Sequence, residues 1–240
     1  MDYRDIESWE QSLRGTFIAP LGFSATNALN FVAGHVIYSF CAPIAVAEAW
    51  RPQAARTPWL GPAGIAVAAA AYVLAAVLIV SDPESHSGSA AQVAGSLVVG
   101  GLCAGAAVIL RRRRRDQDRP RTRHAPALWA TVAASFVVFL AAEMVPPETW
   151  VGVGITTAVF IAGTVLLAHV SRSCDWGVRH TAAVAIGALL SRGTLAFTYY
   201  PLIGQTSAVQ KYGHNVVTLA IVGLAGWLAL RNPTATRMRR

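Results

Sequence analysis

His35, Glu143 and Arg192 are ionisable side chains that lie inside long apolar stretches of the sequence. An ionisable group at membrane depth is costly unless it faces a partner or a cavity, so we take all three as catalytic candidates. The imidazole of His35 changes charge near neutral pH, which makes it a candidate proton donor, acceptor or relay. The structural alternative is a packing histidine whose ring is satisfied by hydrogen bonds.

Glu143 and Arg192 form a candidate pair. Glu143 is near the end of its apolar stretch, and Arg192 lies about fifteen residues into another, which places it roughly 8 Å below the same membrane surface. If Arg192 points inward, we expect Glu143 to be its counter-ion. Alternatively, the long arginine side chain extends to the membrane surface. A pair of this kind serves structure as often as function.

Two apolar stretches carry a small or polar face, because residues at steps of three or four fall on one side of an α-helix. In the first stretch the members are Asn27, Asn30, Gly34, Tyr38, Cys41, Ala45 and Glu48. In the sixth they are His180, Gly187, Ser191, Thr194 and Thr198, interrupted by Val184. We expect the two faces to meet in a common interior, as a packed polar seam or as a cavity. The candidate substrate-binding residues around it are Asn30, Tyr38, Trp150, Phe197, Tyr199 and His214.

The elements that must position these residues are membrane helices. The chain has 240 residues, of which 54% are hydrophobic and 13% charged, against about a quarter charged in soluble domains. Seven apolar stretches approach the ~20 residues that span a bilayer, at 26–49, 59–80, 90–110, 126–145, 149–171, 177–200 and 213–231. The sequence therefore predicts an all-α bundle of seven transmembrane helices over 26–231. Residues 1–20 precede it as an amphipathic helix on the membrane surface, or as a partly ordered tail.

Orientation follows from the basic residues. Most of the 20 Lys and Arg residues fall on one side of the predicted bundle, in the central loop 111–125, the other loops of that side and the tail 232–240. The positive-inside rule makes that side cytoplasmic, with the N-terminus outside and the C-terminus inside, in the plasma membrane. Because the charge is divided among short loops, it does not indicate nucleic-acid binding. Contact with anionic lipid headgroups is the functional alternative for the residues Arg111, Arg112, Arg113, Arg114 and Arg115.

Known sequence signatures are lacking. We find no Walker loop, dinucleotide fingerprint, HExxH, GxSxG or CxxC motif, so we expect neither a metal nor a cofactor. None of the seven predicted spans contains a lysine, which argues against a retinal Schiff base. No resemblance to a known family emerges from these residues.

Two classes of function remain. The first is an enzyme that acts on a lipophilic, isoprenoid- or prenyl-like small molecule by intramembrane acid–base chemistry, as in a cyclase, lyase or isomerase. Such a cyclase needs an acid, here Glu143 or His35, in a dry pocket whose aromatic walls stabilise a carbocation. The second is a small-molecule or proton-coupled transporter, and a non-catalytic sensor or scaffold is a third possibility. An enzyme predicts a sealed lateral pocket, whereas a transporter predicts a polar path that reaches both faces.

Overall fold

The computed structural model describes residues 14–21, 23–51, 60–81, 98, 102, 105, 123–146, 148–199 and 206–231. Several sequence predictions concern other positions. The first thirteen residues of the amphipathic segment, most of the third apolar stretch, Arg111 to Arg115 and the tail 232–240 lie outside the described residues.

Helices make up most of the described chain. They are α1 Ala25–Trp50, α2 Pro62–Ser81, α3 Leu128–Glu143, α4 Trp150–Ser173, α5 Val178–Leu195 and α6 Ala208–Arg231. Three of them, α1, α4 and α6, are long and apolar enough to cross a membrane, and α2 and α3 contain shorter apolar segments. The protein is therefore an all-α membrane protein. Its contacts divide it into two compact units, residues 57–120, which contain α2, and the remainder, which contains the other five helices.

A short hairpin precedes α1. Strands β1 Phe17–Ile18 and β2 Phe23–Ser24 pair antiparallel. Where the hairpin meets the start of α1, the buried Thr16 hydroxyl lies 2.8 Å from the Ser24 hydroxyl and 2.7 Å from the Thr26 hydroxyl. These contacts satisfy three buried hydroxyl groups at once and fix the entry of the chain into α1.

The winding of α1 changes along its length. It is a π-helix over Ala28–Ala33 and again over His35–Cys41, and it returns to an α-helix at Ala42–Trp50. A π-helix bonds residue i to residue i+5 and so has more residues per turn than the 3.6 of an α-helix. The polar face predicted with α-helical spacing therefore does not run unbroken along α1. Val46, which follows the two π segments in the chain, is buried. Cys41, a member of the predicted face at the end of the second π segment, is exposed.

Among the described helices, α3 and α5 make an especially close contact. A Cβ atom added at Gly187 would lie 2.5 Å from the Val132 carbonyl oxygen and 2.8 Å from the Phe136 backbone nitrogen. In addition, the Ser135 hydroxyl donates to the Val184 carbonyl oxygen at 2.7 Å. Small residues permit this approach of two backbones, which is a principal source of helix association in lipid. α1 and α6 pack against α5 through a buried cluster that contains Ala42, Val46, Ala49, Ala182, Ala185, Ile186 and Ala229.

Helix α6 begins five residues before the predicted span, at Ala208. A capping box explains the early start, because the Gln210 backbone N–H donates to the Ser207 hydroxyl and the Ser207 N–H donates to the Gln210 side chain. Lys211 consequently lies inside an apolar helix. The expectation that no span carries a lysine is therefore wrong for α6.

Helix α5 ends at Leu195, before the predicted limit of 200. Two side chains of α6 bind the carbonyl groups that the helix leaves unpaired. The buried Lys211 ammonium donates to the Phe197 oxygen at 3.0 Å, and the buried Asn215 amide donates to the Ala196 oxygen at 2.8 Å. The positive charge of Lys211 also complements the negative end of the helix dipole.

Candidate functional site

The Glu143 carboxylate, at the end of α3, accepts hydrogen bonds from two other helices. The Tyr38 hydroxyl of α1 donates to Oε1 at 2.9 Å, and the Arg192 guanidinium of α5 donates to Oε2 at 2.6 Å. The predicted pairing of Arg192 with Glu143 is thus confirmed. Charge-assisted bonds of this length are the stronger kind in proteins.

Two tyrosine rings lie next to the Arg192 guanidinium. Its central carbon lies 5.7 Å from the Tyr38 ring centroid and 5.6 Å from that of Tyr199, within the range of cation–π attraction. The Arg192 side chain is 42% exposed and the Glu143 side chain 21% exposed. The pair is therefore held in place by its neighbours but is not sealed off.

A small recess adjoins this cluster, between α1, α3, α4 and α5. It offers about 40 Å³ of space to water-sized molecules, room for about three ordered waters. The residues that line it are Leu29, Asn30, Gly34, Ile37, Tyr38, Ala142, Glu143, Val145, Thr156, Phe160 and Arg192. Its wall combines one ion pair, three uncharged polar side chains and a larger apolar surface.

A row of aromatic rings runs from the cluster to α4. The Tyr38 and Phe139 rings meet edge to face with centroids 6.1 Å apart, and the Phe139 and Phe160 centroids are 6.2 Å apart. The sequence analysis missed both phenylalanines. Phe139 could have been found, because it precedes Glu143 by one helical turn and so shares its face. Phe160 had no comparable indication.

The predicted site residues divide into two groups. Asn30 and Tyr38 line the recess, Glu143 and Arg192 form its ion pair, and Tyr199 contacts Arg192. The other four do not line it. They are Trp150 and His214, which are exposed, Phe197, whose ring stacks on Tyr212 at 5.9 Å, and His35.

His35 is exposed on α1 and does not line the recess. Its Nδ1 lies 2.7 Å from the Phe31 carbonyl oxygen, and its ring stacks on that of Phe31 at 6.3 Å. The π winding accounts for this position, because with more residues per turn the three-residue step to Tyr38 covers a smaller angle. His35 and Tyr38 therefore lie further apart around the helix than α-helical spacing predicts.

The groups of the cluster differ in their capacity to carry a proton. Both Glu143 oxygens accept hydrogen bonds, and the transferable proton next to them is on the Tyr38 hydroxyl. Arg192 supplies a fixed positive charge and does not exchange protons. Within the described ranges, no three His, Cys, Asp or Glu side chains come close enough to hold a metal ion.

Compared with known proteins, this chain matches no family model, no curated protein and no solved structure.

Proposed function

We propose that the protein is a membrane enzyme that acts on a lipophilic, isoprenoid- or prenyl-like small molecule by acid–base chemistry. The observation that carries this proposal is the Tyr38–Glu143–Arg192 cluster beside an aromatic-walled recess. A carboxylate at the end of an apolar helix that is bound by a guanidinium and a phenol, next to open space, is a functional-site hypothesis by default. The apolar part of the lining suits a lipophile.

In the proposed reaction the three residues have separate roles. Glu143 takes a proton from the carbon next to a substrate carbonyl, Tyr38 turns its hydroxyl from Glu143 to the carbonyl oxygen, and Arg192 stabilises the enolate that forms. Glu143 then returns the proton to a different carbon, which completes an isomerisation. Of the two acids predicted for a cyclase, Glu143 accepts hydrogen bonds at both oxygens and directs no O–H at a substrate, and His35 does not line the recess. The remaining proton donor, the Tyr38 hydroxyl, is too weak an acid to protonate an alkene. An isomerase is therefore favoured over a cyclase.

The volume of the recess limits how a substrate would bind. About 40 Å³ accommodates the reactive end of a prenyl-like molecule and not its hydrocarbon chain. We propose that the chain lies along apolar helix surface in contact with lipid. Large exposed side chains of α1 and α4, among them Val32, Val36 and Ile155, provide such a surface.

A proton-coupled or small-molecule transporter is the second candidate. The same small volume favours it, because a space for a few waters beside a partly exposed ion pair suits proton passage better than a large substrate.

For either function we propose seven spans, an outside N-terminus and a plasma-membrane location. The distribution of the 20 basic residues supports this orientation. The five arginines Arg111 to Arg115 would then meet the anionic headgroups of the cytoplasmic leaflet.

The first experiment is native mass spectrometry with lipid extraction on the purified protein. We expect an isoprenoid-like molecule to co-purify with the wild type and to be lost or chemically altered in Glu143→Gln and Tyr38→Phe. His35→Ala is the matched control, because it also changes a polar group of the bundle but one outside the recess, and it should retain the ligand.

Co-purification of bulk phospholipid alone with all four proteins would contradict the enzyme. Proton flux into proteoliposomes that requires Glu143 would then support the transporter. A wild type that shows neither a ligand nor proton flux would contradict both functions.

A further inference from the structure

We propose that Gly34 of α1 keeps the recess open for the carbonyl end of the ligand and sets the largest group that the recess admits there. This inference rests on the proposed lipophile-binding function of the recess and deepens it, because it names a residue that selects ligands by size. Gly34 lines the recess in the middle of α1's contribution to it, between Asn30 and Tyr38.

The neighbours of Gly34 show which side of α1 this position occupies. Asn30 precedes it by four residues and Tyr38 follows it by four, and both line the recess. Four residues are close to one full turn of an α-helix and of the wider π-helix, so the three positions share one side of α1. A side chain at position 34 would therefore extend from the same side as those of Asn30 and Tyr38, toward the recess.

Two common reasons for a glycine inside a helix do not apply to Gly34. Its φ of −58° and ψ of −48° are those of an ordinary helical residue, so the backbone conformation does not require glycine. Among the described residues, a Cβ atom added at Gly34 would meet nothing within 4 Å, so no close helix contact requires it either. By contrast, a Cβ atom at Gly187 would lie 2.5 Å from the Val132 carbonyl oxygen. Because glycine is unfavourable in a helix interior, its presence at position 34 calls for another reason, and room for a ligand supplies one.

The recess is small enough for a single methyl group to matter. It offers about 40 Å³, and a methyl group is similar in size to a water molecule, so a β-carbon at position 34 would remove roughly a third of this space. The proposed reaction takes place next to a substrate carbonyl, whose second substituent must also fit here. A neutral ketone with a small alkyl group, such as methyl, on its carbonyl therefore fits the recess, and bulkier groups are excluded.

The test compares two ketones that carry the same prenyl chain, farnesylacetone, which is a methyl ketone, and its ethyl-ketone homologue. Binding of each to the full-length protein in nanodiscs is titrated by native mass spectrometry. We expect Gly34→Ala to weaken binding of farnesylacetone about threefold and binding of the ethyl ketone about tenfold, and Gly34→Leu to weaken both by more than about tenfold. Gly154→Ala is the matched control. Gly154 lies two residues before Thr156, on the other side of α4, and the variant should bind both ketones like the wild type.

Stability distinguishes a ligand-binding role of Gly34 from a structural one. The unfolding temperatures of the ligand-free proteins are measured in mixed micelles. Because alanine favours a helix more than glycine does, Gly34→Ala should unfold at the same temperature as the wild type or at a higher one, while it binds the ketones less tightly. A lower unfolding temperature of Gly34→Ala would show that the helix itself needs the glycine, and it would overturn the selective role.

The outcomes separate the two proposals. Equal binding of both ketones by the wild type and Gly34→Ala overturns the role of Gly34, and it leaves the enzyme proposal standing if Glu143→Gln still weakens farnesylacetone binding. Weakening of both ketones by the same factor also overturns this role, because selection by size is then absent. If the wild type binds neither ketone, the lipophile-binding function fails and the role of Gly34 fails with it.

Discussion

The helix pair α3 and α5 makes two different kinds of contact at two levels along its length. At Gly187 the helices touch backbone to backbone and no methyl group fits between them. At Arg192, five residues or roughly 7.5 Å further along α5, the side chains of Arg192 and Glu143 connect them, and a recess adjoins their contact. The close contact fixes the distance between the two helices. This fixed distance keeps the Glu143–Arg192 ion pair in place next to the recess. A site needs such a rigid support, because a displacement of about 1 Å disrupts its geometry.

The largest expected effect is at the close contact. Gly187→Ala places a methyl group against the Val132 oxygen and the Phe136 nitrogen, which are backbone atoms that cannot rotate away. We expect a loss of about 3 kcal/mol in the free energy of unfolding, measured in mixed micelles. Gly154→Ala is the control, because a Cβ there meets nothing within 4 Å, and it should be neutral or slightly stabilising. Equal stability of the two variants would refute the close contact.

The next effect is at the ion pair and is measured by a double-mutant cycle. Glu143→Gln or Arg192→Met alone leaves the other charge unpaired, and we expect each to lower the free energy of unfolding by about 1–2 kcal/mol, since both side chains are only partly buried. The double variant should lose less than the sum of the two. Additive losses would mean that the pair contributes no coupling to stability.

A smaller effect concerns the end of α5 that carries Arg192. Lys211→Met removes the donor to the Phe197 carbonyl while keeping the length of the side chain. We expect a loss of about 1 kcal/mol in the free energy of unfolding. His214→Leu, at an exposed position of α6, is the control and should change little. If Lys211→Met is as stable as that control, the ammonium does not cap the helix.

The smallest effect tests whether hydrogen bonding or backbone proximity dominates the close contact. Ser135→Ala removes the bond to the Val184 carbonyl and adds no bulk. Because that carbonyl also lies within a helix, we expect a loss of about 0.5 kcal/mol by the same unfolding measurement. A loss as large as that of Gly187→Ala would make the hydrogen bond, and not the proximity of the backbones, the main attraction.

Much of the fold followed from composition and periodicity. The helical membrane class, the positions of the described helices to within a few residues, and the Glu143–Arg192 pair were all predictable, because lipid forces backbone groups into helices and forces buried charges into pairs. The early start of α6 was also encoded, in the spacing of Ser207 and Gln210. The predicted seven spans and their orientation remain predictions.

The site itself depended on tertiary structure. The sequence by itself determined which residues were too polar for lipid, since that cost depends only on residue type and on the apolar stretch around it. It did not determine which way each one faces. The π winding of α1 separates His35 from Tyr38, and α4 brings Phe160 and Thr156 to the recess from a helix with no charged residue at that level. The direction in which a side chain faces depends on the winding of its helix and on contacts between distant segments. A pattern that assumes 3.6 residues per turn carries no information about either.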